Sequence, residues 1–182
     1  MNFKLDKSEN VFNGVVFDIK VDHIIYNSGN TGVREVILHN GGAVVVPVKD
    51  DGKIILVKQY RYPFDEFLFE LPAGKLEKNE DPLVCATREL TEETGYSTEL
   101  ITSLGKIYTS PGFCNEILYI YLAENLKAGK HNREEGEQGM EVYEFTLEEV
   151  NEMITSGKIV DAKTISGIHF YQNKKWLVTK IN

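Results

Sequence analysis

The chain has 182 residues, 42% of them apolar, which suits a single cored domain, with room for a small appended sheet. A net charge of −8 has the wrong sign for gripping the phosphates of a long nucleic acid, though not for a small phosphorylated ligand that arrives with a divalent cation. No apolar run reaches the roughly 18 residues of a membrane helix, and MNFKLDKSENVFNG lacks the apolar stretch of a secretory leader, so a cytoplasmic protein without membrane contacts is expected.

In chain order, VVFDIKVDHIIYN (15–27) and VREVILHN (33–40) read as two strands around the turn SGNTG, an N-terminal hairpin. Strands follow at 43–48 and 53–60, joined by the Asp50-Asp51-Gly52 turn. FLFELPAG (67–74) is a short strand that stops at Pro72 and Gly74. Asp81 can cap a helix, Pro82 suits its first position, and Gly95 ends it. ELITSLGKIYTS and EILYIYLAEN are two more strands around SPGFCN. HNREEGEQG (131–139) is a polar loop. MEVYEFTLEEV starts as a strand and turns helical near Thr146, and 161–178 form a last helix with Ile165, Ile168, His169, Trp176 and Leu177 inward. Many strands with a few helices imply a mixed sheet with helices packed on it. Cys85, Cys114, His23, His39, His131 and His169 fall into no metal-ligand spacing, so no zinc site is expected.

The helix after Pro82 carries the chemistry. Leu83, Ala86, Leu90 and Thr94 recur at three- and four-residue steps and predict its core face. Arg88 and Glu92 are placed to pair. Glu89 and Glu93 share one face, one turn apart, with no cation in sequence between them. Like charges at that spacing cost a helix a few tenths of a kcal/mol, about 0.2–0.5. Their four hard oxygens suit Mg²⁺ or Mn²⁺ rather than zinc. An isolated acidic run is usually just a solvated face. This one has a glycine loop before it, Glu80 at the hinge and Gly95 after it.

Gly74, Glu80, Arg88, Glu89, Leu90, Glu92, Glu93, Gly95 and Tyr96 fit G-x5-E-x7-R-E-U-x-E-E-x-G-U, where U is bulky and apolar or aromatic. That pattern resembles the Nudix box at every fixed position. The resemblance implies an α+β fold, an α/β/α sandwich with a mixed sheet plus a small N-terminal antiparallel sheet. Residues 1–40 would be the N-terminal sheet region and 41–182 the hydrolase domain. It implies metal-dependent hydrolysis of a nucleoside diphosphate linked to another group, with Mg²⁺ as cofactor and Mn²⁺ as substitute. Glu89, Glu93 and the Ala73 carbonyl would hold the metal. Glu92 would be a ligand or, through Arg88, a brace, and Glu80 a support.

Other segments are similar to the ADP-ribose pyrophosphatase branch: Lys58-Gln59-Tyr60-Arg61, Leu71-Pro72-Ala73-Gly74-Lys75, Pro111 inside YTSPGFCNE, and VDAKT at 160–164. Ser110-Pro111-Gly112 alone would be an ordinary turn. With the box intact, the branch resemblance implies substrate contacts at Pro111, Gly112 and Glu116. Arg61 and Arg34 read either as exposed strand arginines or as holders of the diphosphate or terminal ribose. The branch also implies a catalytic glutamate in REEGEQG. Glu137 is the first choice and Glu135 the second, with Glu134 also present; a match at Gln138 could not act as a base. Tyr26 and Phe17 are candidates for stacking on adenine. A homodimer is implied, with residues 1–40 crossing to the partner. The alternatives are another diphosphate substrate, such as GDP-mannose, or a non-catalytic nucleotide sensor.

Overall fold

The computed structural model describes residues 1–132 and 139–181, with no side chains described beyond Lys174. The chain divides into two compact units, residues 1–41 with 108–117, and residues 42–107 with 118–182.

The first unit is built on an antiparallel sheet, β1 (Phe3–Asn13), β2 (Asp18–Tyr26) and β3 (Thr31–Leu38), in that spatial order. The β2–β3 hairpin closes through Tyr26 N–H donating to the Asn30 carbonyl at 2.9 Å and Gly29 N–H to the Tyr26 carbonyl at 2.9 Å. Gly29 sits at φ +89°, which its missing side chain permits. Strand β1 is an addition to the predicted pair. FKLDKSENVFN carries no clean apolar alternation, and every residue of it is exposed. Its ladder to β2 replaces the missing burial. In the same unit, the 108–117 segment joins β3 where Ile37 N–H donates to the Phe113 carbonyl at 2.7 Å and Asn115 N–H to the Ile37 carbonyl at 3.1 Å.

The second unit starts with β4 (Gly42–Pro47), whose six residues are all buried. An apolar run without alternation marks a strand covered on both faces. Next come β5 (Ile54–Arg61), β6 (Glu66–Glu70), β7 (Ala73–Lys75), α1 (Pro82–Thr94), β8 (Tyr96–Ser97), β9 (Leu100–Tyr108), β10 (Ile117–Glu124), β11 (Lys127–Ala128), β12 (Glu141–Phe145), α2 (Leu147–Thr155) and α3 (Ala162–Ile181). One sheet has the order β7-β4-β10-β9, with β4 parallel to β10 and antiparallel to β7; a second has the order β12-β5-β6. Val44 and Val46 pack with Ile120, Leu122, Val150, Met153 and Ile168, on the α2 and α3 side. Ala43 and Val45 pack with Cys85, Ala86 and Leu90 of α1. Helices therefore cover both faces of the mixed sheet, as an α/β/α sandwich requires.

Three sequence expectations change in detail. The strand predicted at 67–74 is two strands, because Pro72 lacks the N–H needed to continue a ladder. On α1 the inward residues are Cys85, Ala86, Glu89, Leu90, Glu93 and Thr94, whereas Leu83 is 43% exposed. On α3, Thr164, Gly167, Ile168 and Tyr171 face inward while Ile165 and His169 face out. Gly167 sets that rotation, since a Cβ there would lie 2.5 Å from Leu71 Cδ1. The side chains of Trp176 and Leu177 lie outside the described residues.

Candidate active site

Helix α1 begins and ends where its sequence dictates. The Asp81 carboxylate accepts from Leu83 N–H at 2.8 Å, and Gly95 closes the helix at φ +77° with its N–H donating to the Thr91 carbonyl at 2.9 Å. Within it Arg88 is a hub. Nε and Nη2 donate to the two Glu80 oxygens, each at 3.2 Å; Nη1 donates to Glu89 at 2.6 Å and to Glu92 at 2.9 Å. The pairing with Glu92 and the supporting role of Glu80 follow the sequence reading. Glu89, however, has a cation after all, from its immediate neighbour. Partial burial disfavours the guanidinium charge, but the Glu80, Glu89 and Glu92 carboxylates outweigh it and raise the Arg88 pKa. The Arg88 hydrogen bond in turn holds the Glu80 carboxyl below its usual range.

Glu89 and Glu93 lie on the inward face, 6% and 2% exposed. A carboxylate so placed needs partners. Glu93 Oε2 accepts from Ala73 N–H of β7 at 3.1 Å. Glu89 lies against Gly74 so closely that a Cβ there would fall 1.7 Å from Glu89 Oε1. The loop glycine thus leaves the room in which the Glu89 carboxylate meets the β7 backbone. Cys85 borders the same backbone, with Sγ 3.7 Å from the Gly74 carbonyl and 3.8 Å from that of Lys75. Burial first, then the Glu80 and Glu89 charges, push its thiol up to about 12, so it stays protonated and supplies no soft ligand. Hard carboxylate oxygens beside backbone carbonyls fit a hard divalent cation. Among the described residues no three His, Cys, Asp or Glu side chains are grouped so as to hold a metal ion. Glu89 and Glu93 are the two inward carboxylates here that could meet such an ion, and Glu92 shares Arg88 with Glu89.

At the end of β5, Arg61 is part-exposed and paired with a buried carboxylate. Its Nε and Nη2 donate to the two oxygens of Glu70 at 2.7 and 2.6 Å. Glu70 is 1% exposed and also pairs with Lys163, which lies 3.0 Å from Asp161. The Glu70 hydrogen bond, against the cost of burial, raises the Arg61 pKa, with Asp161 and Glu93 adding to it. Burial disfavours the Glu70 charge, but Arg61 and Lys163 overcome it and lower the carboxyl pKa. Sequence reasoning assigned no role to Glu70, Asp161 or Lys163. A charged residue inside the apolar run Phe67-Leu68-Phe69-Glu70-Leu71 was the available signal, because such a residue is buried only when paired.

Arg34, Pro111, Gly112 and Glu116 belong to the first unit. Arg34 donates to its neighbour's carbonyl, Val33, at 2.8 Å and to the Tyr26 hydroxyl at 2.7 Å. Tyr26 also packs edge-on against Phe3, and Phe17 packs against Phe12. Pro111 and Gly112 form the turn closed by Phe113 and Cys114 N–H groups donating to the Ser110 carbonyl at 3.1 and 2.9 Å. Glu116 lies 3.3 Å from His39 Nδ1. The expected bases, Glu134, Glu135 and Glu137, lie outside the described residues.

The box residues run from β7 through α1 to β8, and the model of the NUDIX domain matches residues 38–166. The chain belongs to the Nudix family. Among its relatives, an ADP-ribose pyrophosphatase of Bacillus subtilis (strain 168) is 42% identical over 93% of this chain and 92% of its own length. A methanol dehydrogenase activator of Bacillus methanolicus is 38% identical over 97% of this chain and 96% of its own. A crystal structure of an ADP compounds hydrolase superposes with a TM-score of 0.86, covering 99% of this chain and 96% of that one at 19% identity. That last likeness bears on the Nudix fold alone.

Proposed function

We propose that this Nudix enzyme hydrolyses the diphosphate of ADP-ribose to AMP and ribose 5-phosphate with Mg²⁺, for which Mn²⁺ can substitute. The observation that carries the chemistry is the seating of Glu89 and Glu93 on the Ala73–Gly74 backbone. The choice of substrate is supported by the 42% identity to an ADP-ribose pyrophosphatase across nearly the whole chain.

Glu89, Glu93 and the Ala73 carbonyl would hold the metal, and Glu92 would join them or brace the helix through Arg88. Bound there, a divalent ion would neutralise phosphate charge and acidify a water molecule. A glutamate of the polar loop, Glu137 ahead of Glu135, takes the proton of the attacking water. The water oxygen bonds to one phosphorus, and the bond to the bridging oxygen breaks. The free edge of Arg61 faces the diphosphate, where a guanidinium fork matches phosphate oxygens. Arg34, Pro111, Gly112 and Glu116 are further substrate contacts in this reading, with Tyr26 or Phe17 as the platform for the base.

The enzyme works in the cytoplasm as a homodimer, with residues 1–40 as the exchanged sheet region and 41–182 as the hydrolase domain. Exposed apolar side chains in the first unit, Leu5, Val11, Phe12, Val15 and Val16, support a partner surface there. Sedimentation at micromolar concentration is expected to give a dimer; a monomer would remove this part of the reading.

Product analysis tests the substrate. With Mg²⁺ and, separately, ADP-ribose, GDP-mannose, ADP-glucose, NADH and diadenosine polyphosphates, AMP and ribose 5-phosphate should appear fastest, from ADP-ribose. Faster cleavage of GDP-mannose would keep the metal helix and discard the ADP-ribose reading. Binding without turnover of any of them would mark a sensor.

A further inference from the structure

We propose that Glu70 is a positioning residue for the reaction: its buried carboxylate, locked by Lys163, fixes the Arg61 guanidinium so that its open edge presents to an anionic substrate. The inference rests on the reading that Arg61 meets the diphosphate.

A guanidinium has five N–H donors. Glu70 takes one from Nε and one from Nη2, the side edge of the group. The remaining three, on Nη1 and Nη2, have no partner among the described residues. Arg61 ends β5 and its side chain is 38% exposed, whereas Glu70 is 1% exposed, so the fork joins a buried carboxylate to a guanidinium that reaches solvent. Lys163 pairs with the same Glu70 oxygen that receives Nη2, and Asp161 holds Lys163 from its other side. Asp161 is itself fixed, accepting from Thr164 N–H at 2.9 Å and the Thr164 hydroxyl at 2.5 Å. The carboxylate therefore cannot swing without breaking contacts to both β5 and α3. A flexible arginine loses side-chain freedom on gripping a phosphate, and one held in a planar two-point fork has already lost it.

The test is a double-mutant cycle on kcat/KM for ADP-ribose with Mg²⁺, using Arg61→Ala, Glu70→Gln and the double variant. Glu70→Gln is expected to lower kcat/KM by about 10-fold or more, the scale of a misplaced binding group. In the Arg61→Ala background the same change should move kcat/KM by less than about twofold, because Glu70 acts only through Arg61. Multiplying losses, or a Glu70→Gln enzyme as fast as wild type while Arg61→Ala is impaired, would overturn the positioning role and leave that of Arg61. An Arg61→Ala enzyme as fast as wild type would overturn both. If Glu70→Gln does not fold, Lys163→Met, which keeps the Arg61–Glu70 fork and removes its lock, carries the same cycle with the same outcomes.

Discussion

Gly74 matters through the side chain it lacks. A methyl group there would collide with the Glu89 carboxylate, but that carboxylate is the end of a flexible side chain and can move aside. Gly74→Ala should therefore cost little stability, less than about 1 kcal/mol, while displacing Glu89, the proposed metal donor. The expected result is a half-saturating Mg²⁺ concentration raised on the order of 10–100-fold, with Tm nearly unchanged. An unchanged Mg²⁺ dependence would separate Gly74 and Glu89 from the metal. At this scale the sequence carried Gly74, Arg88, Glu89, Glu92 and Glu93, because their spacing on a helix and loop is fixed by local geometry. It did not carry Glu70 and Lys163. They are brought together by strand pairing and by the docking of α3, over 93 residues of separation, and no local period encodes that.

Helix α1 shows what local rules decide and what they leave open. Its ends were legible because Asp81, Pro82 and Gly95 each act on the nearest backbone groups. Its rotation was not. Leu83 has the apolar chemistry for the core, yet Cys85 takes that place, since the inward face is set by the small residues and carboxylates that fit against β4 and β7. Helix α3 shows the same limit: Ile168 is buried as expected, whereas Ile165 is exposed and Thr164 fully buried. The Thr164 hydroxyl links two elements, accepting from Leu71 N–H at 2.8 Å and donating to Asp161. Thr164→Val keeps the shape, strands the Leu71 N–H while Asp161 keeps the Thr164 N–H and Lys163, and should destabilise the fold by about 1–3 kcal/mol. Denaturant midpoints of the two proteins would measure it; a difference near zero would mean the Leu71 N–H finds another acceptor.

In the second unit, β4 serves two cores. Val44 and Val46 bind the sheet to α2 and α3, while Ala43 and Val45 receive α1. Strand β7 then runs beside β4 and gives its Ala73 N–H to Glu93. The acidic helix is thus held on the sheet, with the carboxylates proposed to bind the metal resting on β7. Mg²⁺-dependent hydrolysis of ADP-ribose by wild type and Glu93→Gln is the measurement that tests this most directly, with circular dichroism to show that both are folded. The expected outcome is a folded variant whose kcat falls by about 100-fold or more, the loss of several kcal/mol of metal-borne stabilisation. A folded Glu93→Gln enzyme with wild-type turnover and the same Mg²⁺ requirement would contradict the account.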